Sequence, residues 1–278
     1  KLILFDRKIQ KHERDTTSIY FDEFLQMGEG LPHAAVVAER TGRASMDDLA
    51  NILYTSGTTG EPKGVLLHHS TYEEIIRIHD IRLTEMTDKD VSMSFLPLTH
   101  VFERAWTYYC LHKGVVVCLN LKPAEIASTI KEVRPTLMCS VPRFWEKVYA
   151  GVNEKIASEK GIKKSLMLDA IRVGKTHNLD YVRLGKRPPL MLHLKYKFYE
   201  KTIYALLKKT IGIENGNFFP VAGAAVPDEI CEFVHAVGIN MIVGYGLTES
   251  CATVSCFVNP GFEIGSVGTI MPDVQVKI

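Results

Sequence analysis

The stretch Tyr54–Gly64, which reads YTSGTTGEPKG, combines three glycines, four Ser/Thr hydroxyls and one lysine. Glycine lets the backbone approach a ligand closely, and hydroxyl, amide and ammonium groups donate hydrogen bonds to phosphate oxygens. The stretch departs from the P-loop of nucleoside triphosphatases, because Lys63 follows a proline rather than a glycine and precedes a glycine rather than Ser or Thr. It therefore predicts a phosphate-binding loop of another kind.

The bulk composition is typical of a globular chain with a large apolar core. Of the 278 residues, 46% are hydrophobic and 23% are charged, and the formal net charge of +1 gives no reason to expect a nucleic-acid partner. Six cysteines form no CxxC pair, and several lie in apolar runs, so we expect buried, reduced thiols. We recognise no signal peptide and no apolar run of about 20 residues, and we expect a cytoplasmic protein.

Short apolar runs alternate with helical patterns along the chain. This alternation predicts an α/β fold of layered, largely parallel sheets flanked by helices. We expect strands within residues 2–6, 51–55, 65–69, 91–98, 114–120, 136–142, 216–227, 239–250 and 265–278. We expect helices at 21–28, 100–114, 123–135 and 228–238, and one that begins at Ser70, where Glu73 completes the spacing of a capping box. Residues 29–47 are expected to form a loop, and 114–120 a strand buried on both faces.

Residues 151–215 differ in character from the rest of the chain. Their apolar positions three and four apart predict helices, and their 14 Lys and Arg exceed 6 Asp and Glu. The segment therefore has a net charge of +8 and leaves −7 for the remainder. We interpret it as a basic helical insert that could contact an anionic membrane at its inner surface or a nucleotide-bearing substrate. The alternative is a solvated, lysine-rich face.

Several motifs, in order along the chain, resemble those of the adenylate-forming superfamily, which includes acyl-CoA synthetases, peptide-synthetase adenylation domains and luciferases. TSGTTGEPKG resembles its phosphate-binding signature, VAGAAVP (221–227) the turn along the adenine, and GYGLTES (244–250) a further nucleotide motif. FLPLTHVFERAW (95–106) and SVPRFWEKVY (140–149) resemble the versions found in long-chain fatty acyl-CoA synthetases. The resemblance identifies residues 1–278 as a partial large N-terminal domain, containing the insert and lacking the small C-terminal domain.

The resemblance implies a set of nucleotide-binding residues. The β- and γ-phosphates would be bound by Thr55, Ser56, Gly57, Thr58, Thr59, Gly60 and Lys63. The small residues Gly223, Ala224 and Ala225 would let the purine lie against the backbone, and Tyr245 would stack on it, with Gly246 and Leu247 beside it. Thr248 would donate a hydrogen bond to the α-phosphate, and Glu249 would hold Mg²⁺ through its carboxylate.

The same resemblance implies the acyl side of the site. His100 would orient the substrate carboxylate, so that His100, Thr248 and Glu249 are the candidate catalytic residues. Trp106 could line an acyl tunnel, whereas Arg104 stands where some long-chain members have a tryptophan gate. We interpret Glu103 and Arg104, one helical turn after His100, as structural.

The implied reaction is ATP-dependent formation of an acyl-CoA from a long-chain fatty acid. The fatty carboxylate would attack the α-phosphate of Mg·ATP, and the thiol of CoA would then attack the acyl-adenylate and release AMP. The family's ribose-binding aspartate and catalytic lysine have no counterpart before Ile278, so we expect no turnover by these residues alone. The alternatives are activation of another carboxylate, such as an aryl or amino acid, and a non-catalytic nucleotide-binding fragment.

Overall fold

The computed structural model describes residues 2–30, 33–56, 60–258 and 262–277. The predicted phosphate-binding residues Gly57, Thr58 and Thr59 lie outside these ranges. The chain divides into two compact units, Lys1–Asp48 and Leu49–Ile278.

The first unit contains a two-stranded parallel sheet and two helices: β1 (Leu2–Leu4), β2 (Ser18–Tyr20), α1 (Phe21–Gln26) and α2 (Ala34–Arg43). The prediction of a loop over 29–47 is wrong, because α2 is rich in the good helix formers Ala, Glu and Arg, and Glu39 pairs with Arg43 at 2.7 Å one turn later. β1 lies within the strand predicted for residues 2–6; we also expect this apolar run to be buried, which is wrong, since Leu2 is 61% exposed.

The second unit contains eight strands within its described residues: β3 (Leu49–Thr55), β4 (Lys63–His68), β5 (Val91–Ser94), β6 (Val116–Leu119), β7 (Phe219–Val221), β8 (Met241–Tyr245), β9 (Ser255–Cys256) and β10 (Thr269–Ile270). β3 and β4 form an antiparallel hairpin. β5 pairs with β6 and β7 with β8 in parallel, while β9 and β10 extend the sheet beyond β8 in antiparallel fashion.

The segment 137–140 connects the two parallel pairs. Single parallel bridges join Leu137 to Ser92 and to Phe218, and another joins Ser140 to Val221. The order β6, β5, 137–140, β7, β8 is therefore one parallel layer, which confirms the α/β class with a largely parallel sheet.

The helices of the second unit are α3 (His69–Arg82), α4 (Val101–His112), α5 (Ile126–Val133), α6 (Pro142–Ser158), α7 (Gly161–Lys175), α8 (Leu190–Tyr199), α9 (Ala205–Ile211) and α10 (Asp228–Ala236). The π-helical turn Thr176–Tyr181 follows α7, and a second π-helical turn, Glu200–Tyr204, joins α8 to α9. The predicted helical character of 151–215 is thus confirmed. No helix in the described ranges is long and apolar enough to cross a membrane.

Three local predictions are wrong in detail. α3 begins at His69 with His68 as its N-cap and without a side-chain cap bond, so the capping box of Ser70 and Glu73 does not form. β6 is an edge strand of the described layer, with Val116 57% exposed, and is therefore not buried on both faces. The strand predicted within 265–278 is limited to the two residues of β10.

Two apolar clusters lie on opposite faces of the parallel layer. Ile242 belongs to the cluster that includes Trp106 and Tyr109 of α4, whereas its neighbours Met241 and Val243 belong to the other cluster. Successive side chains of a strand point to opposite faces, so helices cover both sides of the sheet. Apolar packing on both faces therefore stabilises the parallel layer.

Close packing of α7 against α10 gives the first prediction. A Cβ atom at Gly174 would overlap the carbonyl oxygen of Ala236 and lie 2.8 Å from the hydroxyl of Tyr204. Gly to Ala in a helix usually stabilises by about 1 kcal/mol, but overpacking costs about 1–3 kcal/mol. We expect Gly174→Ala to lower the free energy of unfolding in urea titrations. Gly151→Ala in α6, where a Cβ meets nothing within 4 Å, should raise it, and equal behaviour of the two variants would contradict this packing.

Candidate functional site

A cavity of about 420 Å³ lies at the edge of the sheet where the parallel strands end. Its lining includes residues that come shortly after four of these strands: Leu96 and Pro97 after β5, Val141 after 137–140, Ala222 and Gly223 after β7, and Gly246 after β8. In open α/β sheets, ligands bind in the crevice outside the carboxyl ends of the strands. The topology therefore places this cavity where a ligand site is expected.

The cavity brings two of the predicted motifs together. Of the predicted site residues, those that line it are His100, Gly223, Tyr245, Gly246, Leu247 and Thr248. Ala224 and Ala225 continue the turn after Gly223 but do not border the cavity, and both are exposed. Glu249 is exposed in the short 3₁₀ turn Thr248–Ser250, next to the lining but outside it. The roles of these residues stay predictions.

The described part of the predicted phosphate loop lies at the tip of the β3–β4 hairpin. Thr55 pairs with Lys63 at the last position of the ladder, and the Thr55 hydroxyl donates to the Lys63 carbonyl at 3.5 Å. Ser56, Gly60 and Lys63 are exposed, and Gly60 has a φ of +87°, which glycine adopts without strain. β4 lies beside the turn Thr248–Ser250, which contains Glu249.

The loop after β8 has an unusually constrained backbone. A Cβ atom at Gly246 would overlap the carbonyl oxygen of Ala252. Cys251 and Ala252 have φ values of 50° and 88°, in a region that costs other residues than glycine about 1–3 kcal/mol each. Such strain persists only where the surroundings impose it. The loop is thus fixed in a shape that leaves Tyr245 46% exposed at the cavity rather than in the core.

His100 is held at the start of α4. Its backbone N–H donates to the Pro97 carbonyl at 3.0 Å, and its own carbonyl accepts from the N–H of Arg104 at 3.2 Å. Its side chain makes no cap bond and lines the cavity. The guanidinium of Arg104 donates to the Leu98 carbonyl at 2.8 Å, away from the lining, whereas Trp106 is part of the lining and is anchored through its indole N–H to Ser92 at 3.0 Å.

Glu103 has a more prominent position than its interpretation as structural suggests. It belongs to the cavity lining and is fully buried, and among the described residues neither of its carboxylate oxygens has a hydrogen-bond partner of normal geometry. Burial raises the pKa of this carboxyl to about 7, and the nearby Ser94 hydroxyl and Leu96 amide offset only part of the increase. The neighbouring thiols of Cys110 and Cys139 also have raised pKa values and stay neutral.

The sequence carries little sign of this environment. An acid at the third position of a helix usually reaches back to the N-cap amide, and Glu103 has that spacing from His100. Here the carboxyl turns inward instead. A buried carboxyl with a perturbed pKa in a cavity wall is typical of functional sites, so Glu103 joins the candidates on structural grounds.

A family model described as AMP-binding enzyme matches residues 3–278. The chain belongs to the AMP-binding enzyme family. It is 30% identical to long chain acyl-CoA synthetase 4 of Arabidopsis thaliana, over 97% of this chain and 40% of that protein. It is 28% identical to the long-chain-fatty-acid–CoA ligase ACSBG2 of Xenopus laevis, over 92% of this chain and 35% of that protein. The chain spans about 40% of the length of the curated relatives it matches.

Solved structures show the same AMP-binding enzyme fold. The o-succinylbenzoate CoA synthetase of Bacillus subtilis, in complex with its acyl-adenylate intermediate, aligns with a TM-score of 0.60 and 18% identity, over 97% of this chain and 44% of that one. The N-terminal domain of FACL13 from Mycobacterium tuberculosis aligns with a TM-score of 0.54 and 19% identity. The alignment covers 92% of this chain and 57% of that one. These similarities confirm the acyl-CoA synthetase-like fold.

The buried carboxyl of Glu103 makes stability depend on pH. Its pKa rises from 4.5 in the unfolded chain to about 7 in the fold, so ionisation favours unfolding as the pH increases from 4.5 to 7. At 1.36 kcal/mol per pKa unit, we expect Glu103→Gln to stabilise the chain by up to about 3 kcal/mol at pH 8. The gain should largely disappear at pH 4.5.

Urea unfolding at both pH values measures this difference. Glu132→Gln, which changes an exposed carboxylate, is the matched control and should shift stability little at either pH. A gain for Glu103→Gln that is the same at pH 4.5 and pH 8 would show that the fold does not raise the pKa of Glu103.

Proposed function

We propose that this chain forms the nucleotide- and acyl-binding core of an AMP-forming, ATP-dependent CoA ligase that activates a long-chain fatty acid. The observation that carries the proposal is the cavity at the carboxyl ends of the parallel strands, which is lined by Tyr245, Thr248 and His100. The family membership supports an adenylate-forming activity, and the names of the curated relatives support a fatty acyl substrate.

At the nucleotide end, the exposed ring of Tyr245 would stack on the adenine. Gly223, on the neighbouring strand end, has a φ of +92°. Among the described residues beyond its two chain neighbours, the atom nearest to the position of its absent Cβ is Cγ1 of Val141, at 3.9 Å. This leaves room for a flat purine between the turn and the ring. Gly246 allows the backbone of the second loop to approach the same space.

At the phosphate end, Thr248 would donate to the α-phosphate, and the hairpin tip with Lys63 would bind the leaving pyrophosphate. Mg²⁺ typically takes one or two carboxylates together with substrate phosphates, and the exposed Glu249 beside Thr248 fits that requirement. The ion would supply charge neutralisation on the phosphates. Glu249 would hold it, and the amide and hydroxyl groups of the two loops would orient the reacting phosphate.

At the acyl end, the wall is mostly apolar, which suits a hydrocarbon substrate. It consists of Leu83, Leu96, Val101, Phe102, Trp106 and Ile242. His100 lines the same cavity as this wall and Thr248, and it would orient the carboxylate for attack on the α-phosphate. CoA would be the second substrate, and its thiol would take the acyl group from the adenylate.

One observation favours a second candidate, an enzyme that activates an amino acid. A buried, unpaired carboxyl such as Glu103 could hold an ammonium group in the cavity. The apolar wall and the curated relatives favour the fatty acid. An aryl acid is a third substrate class, since the solved structures of similar fold include an aryl-CoA ligase.

Nucleotide binding by the chain tests the site directly. We expect ATP, and more strongly a palmitoyl-adenylate analogue, to raise the midpoint of thermal denaturation. Stacking on an aromatic ring contributes about 1–3 kcal/mol per base, so Tyr245→Ala should weaken AMP binding at least about fivefold in calorimetric titrations. Tyr108→Ala, which removes a tyrosine outside the cavity lining, is the control. Equal AMP affinity in Tyr245→Ala and the original chain would remove Tyr245 from the site.

Substrate class is tested by pyrophosphate exchange in the longest natural polypeptide that contains this chain. We expect exchange with palmitate to exceed exchange with benzoate or leucine at least about tenfold in kcat/KM, because the wall offers apolar contacts along the whole acyl end. Preference for benzoate would assign an aryl substrate. Preference for leucine, abolished by Glu103→Gln, would assign the ammonium-binding role to Glu103.

A further inference from the structure

The helical stretch from Leu190 to Ile211, formed by α8, the π-helical turn Glu200–Tyr204 and α9, has two apolar faces. Its inner face packs into the core through the buried rings of Tyr196, Tyr199 and Tyr204. Its outer face exposes an apolar stripe of Leu190, Met191, Leu194, Phe198 and Leu206, whose side chains are 54–77% exposed. A helix that packs on a core usually turns a polar face to solvent, and exposed apolar patches mark interaction sites.

The apolar stripe lies in the most basic part of the chain. Residues 182–211 contain eight Lys and Arg and a single acidic residue, Glu200, which gives a net charge of +7. Lys195 and Lys197 are paired with Asp169 and Glu200 at 2.7 Å. Within the described residues, four exposed basic side chains of residues 182–211 form no ion pair: Lys186, Arg187, Lys201 and Lys209.

We propose that the apolar stripe and the basic side chains around it form a docking surface for an anionic lipid bilayer. A helix with large apolar side chains and a lysine-rich border lies in the plane of the interface, with the apolar groups below the headgroups. The basic side chains extend to the lipid phosphates while their stems cover apolar surface. The surface therefore matches a membrane in both charge and hydrophobicity.

Charge complementarity favours lipid over the other occupants of such a face. A second copy of the chain would bring its own +7 against the first, and like charges repel. A free acidic ligand such as CoA would satisfy the lysines but leave five large apolar side chains in water. Only a partner that is both anionic and apolar over a wide area satisfies the whole surface.

This surface is independent of the proposed function. None of the five residues of the apolar stripe lines the cavity, and none of the predicted nucleotide-binding residues lies between 182 and 211. A membrane-docking result and a nucleotide-binding result can therefore each fail without the other.

Vesicle co-sedimentation of the 278-residue chain tests the proposal. We expect binding to vesicles of phosphatidylcholine with about one third phosphatidylglycerol and weak binding to phosphatidylcholine alone. The triple variant Lys186→Glu, Arg187→Glu and Lys201→Glu should lower the partition coefficient at least about 100-fold, since each basic residue near an anionic surface contributes about a factor of five. The control changes the same charge elsewhere, at three exposed lysines: Lys89→Glu, Lys131→Glu and Lys147→Glu.

A second pair of variants tests the apolar stripe without changing charge. Leu194→Gln with Phe198→Gln should reduce vesicle binding at least about tenfold, while Leu98→Gln with Leu121→Gln, which replaces exposed leucines elsewhere, should not. Far-UV circular dichroism and the midpoint of thermal denaturation establish that each variant is folded.

Four results would overturn the proposal. The first is absent binding of the original chain, or equal binding to neutral and anionic vesicles. The second is an equal loss of binding in the test and control variants. The third is a dimer in light scattering that the Leu194→Gln, Phe198→Gln variant converts to monomer, which would assign the surface to a second copy. Release of the chain from vesicles by CoA, with the apolar-stripe variant binding normally, would likewise assign it to a free acidic ligand.

Discussion

The parallel alignment of β5, the segment 137–140, β7 and β8 is the constraint on which the site depends. Because these strands run in the same direction, their carboxyl ends meet at one edge, and the loops that follow them have to share that space. The few bridges made by Leu137 and Ser140 are therefore important, since they join the β5–β6 pair to the β7–β8 pair. Tyr245 and His100, 145 residues apart in the sequence, line one cavity as a consequence of this alignment.

Several unfavourable local features lie where the loops meet. Cys251 and Ala252 have positive φ values, Gly246 has no room for a side chain, and Glu103 is buried without a partner. Each of these features costs stability, and the two apolar clusters on either face of the sheet have to offset the cost. Folded proteins retain such features chiefly at functional sites, where the shape and charge of the site matter more than stability. At the cavity, local preferences are thus overruled at several positions.

Much of the fold follows from sequence pattern because helical and strand periodicities survive in isolation. The alternation of apolar runs with helical patterns predicts the layered sheet, and the order of the motifs predicts which loops are neighbours. The failures have physical causes. Burial of β6 on both faces depends on the elements that pack on those faces, which no local pattern reveals, and Val116 and Leu119 remain exposed. Ser70 does not cap α3 because the helix has already begun at His69.

The candidate site is predictable to a similar degree. His100, Gly223, Tyr245 and Thr248 are found at the cavity because they lie at the ends of strands or in the loops that follow them, which the motifs mark. Glu103 is not predictable in the same way. Its spacing from the N-cap fits an ordinary capping role, and only the three-dimensional packing of α4 on the sheet turns its carboxyl inward.

The π-helical turn Glu200–Tyr204 determines which way the apolar stripe of the helical stretch from Leu190 to Ile211 faces. Tyr199 and Tyr204 are five residues apart, a spacing that an α-helix would place about 140° apart around its axis. The wider turn, with hydrogen bonds between residues five apart, allows both rings to enter the same core. Loss of a single residue from this turn would rotate everything beyond it by about 100°, carrying Leu206 away from Phe198. Evolution can therefore reorient this surface by changing the length of the turn by one residue, with no substitution in the surface itself.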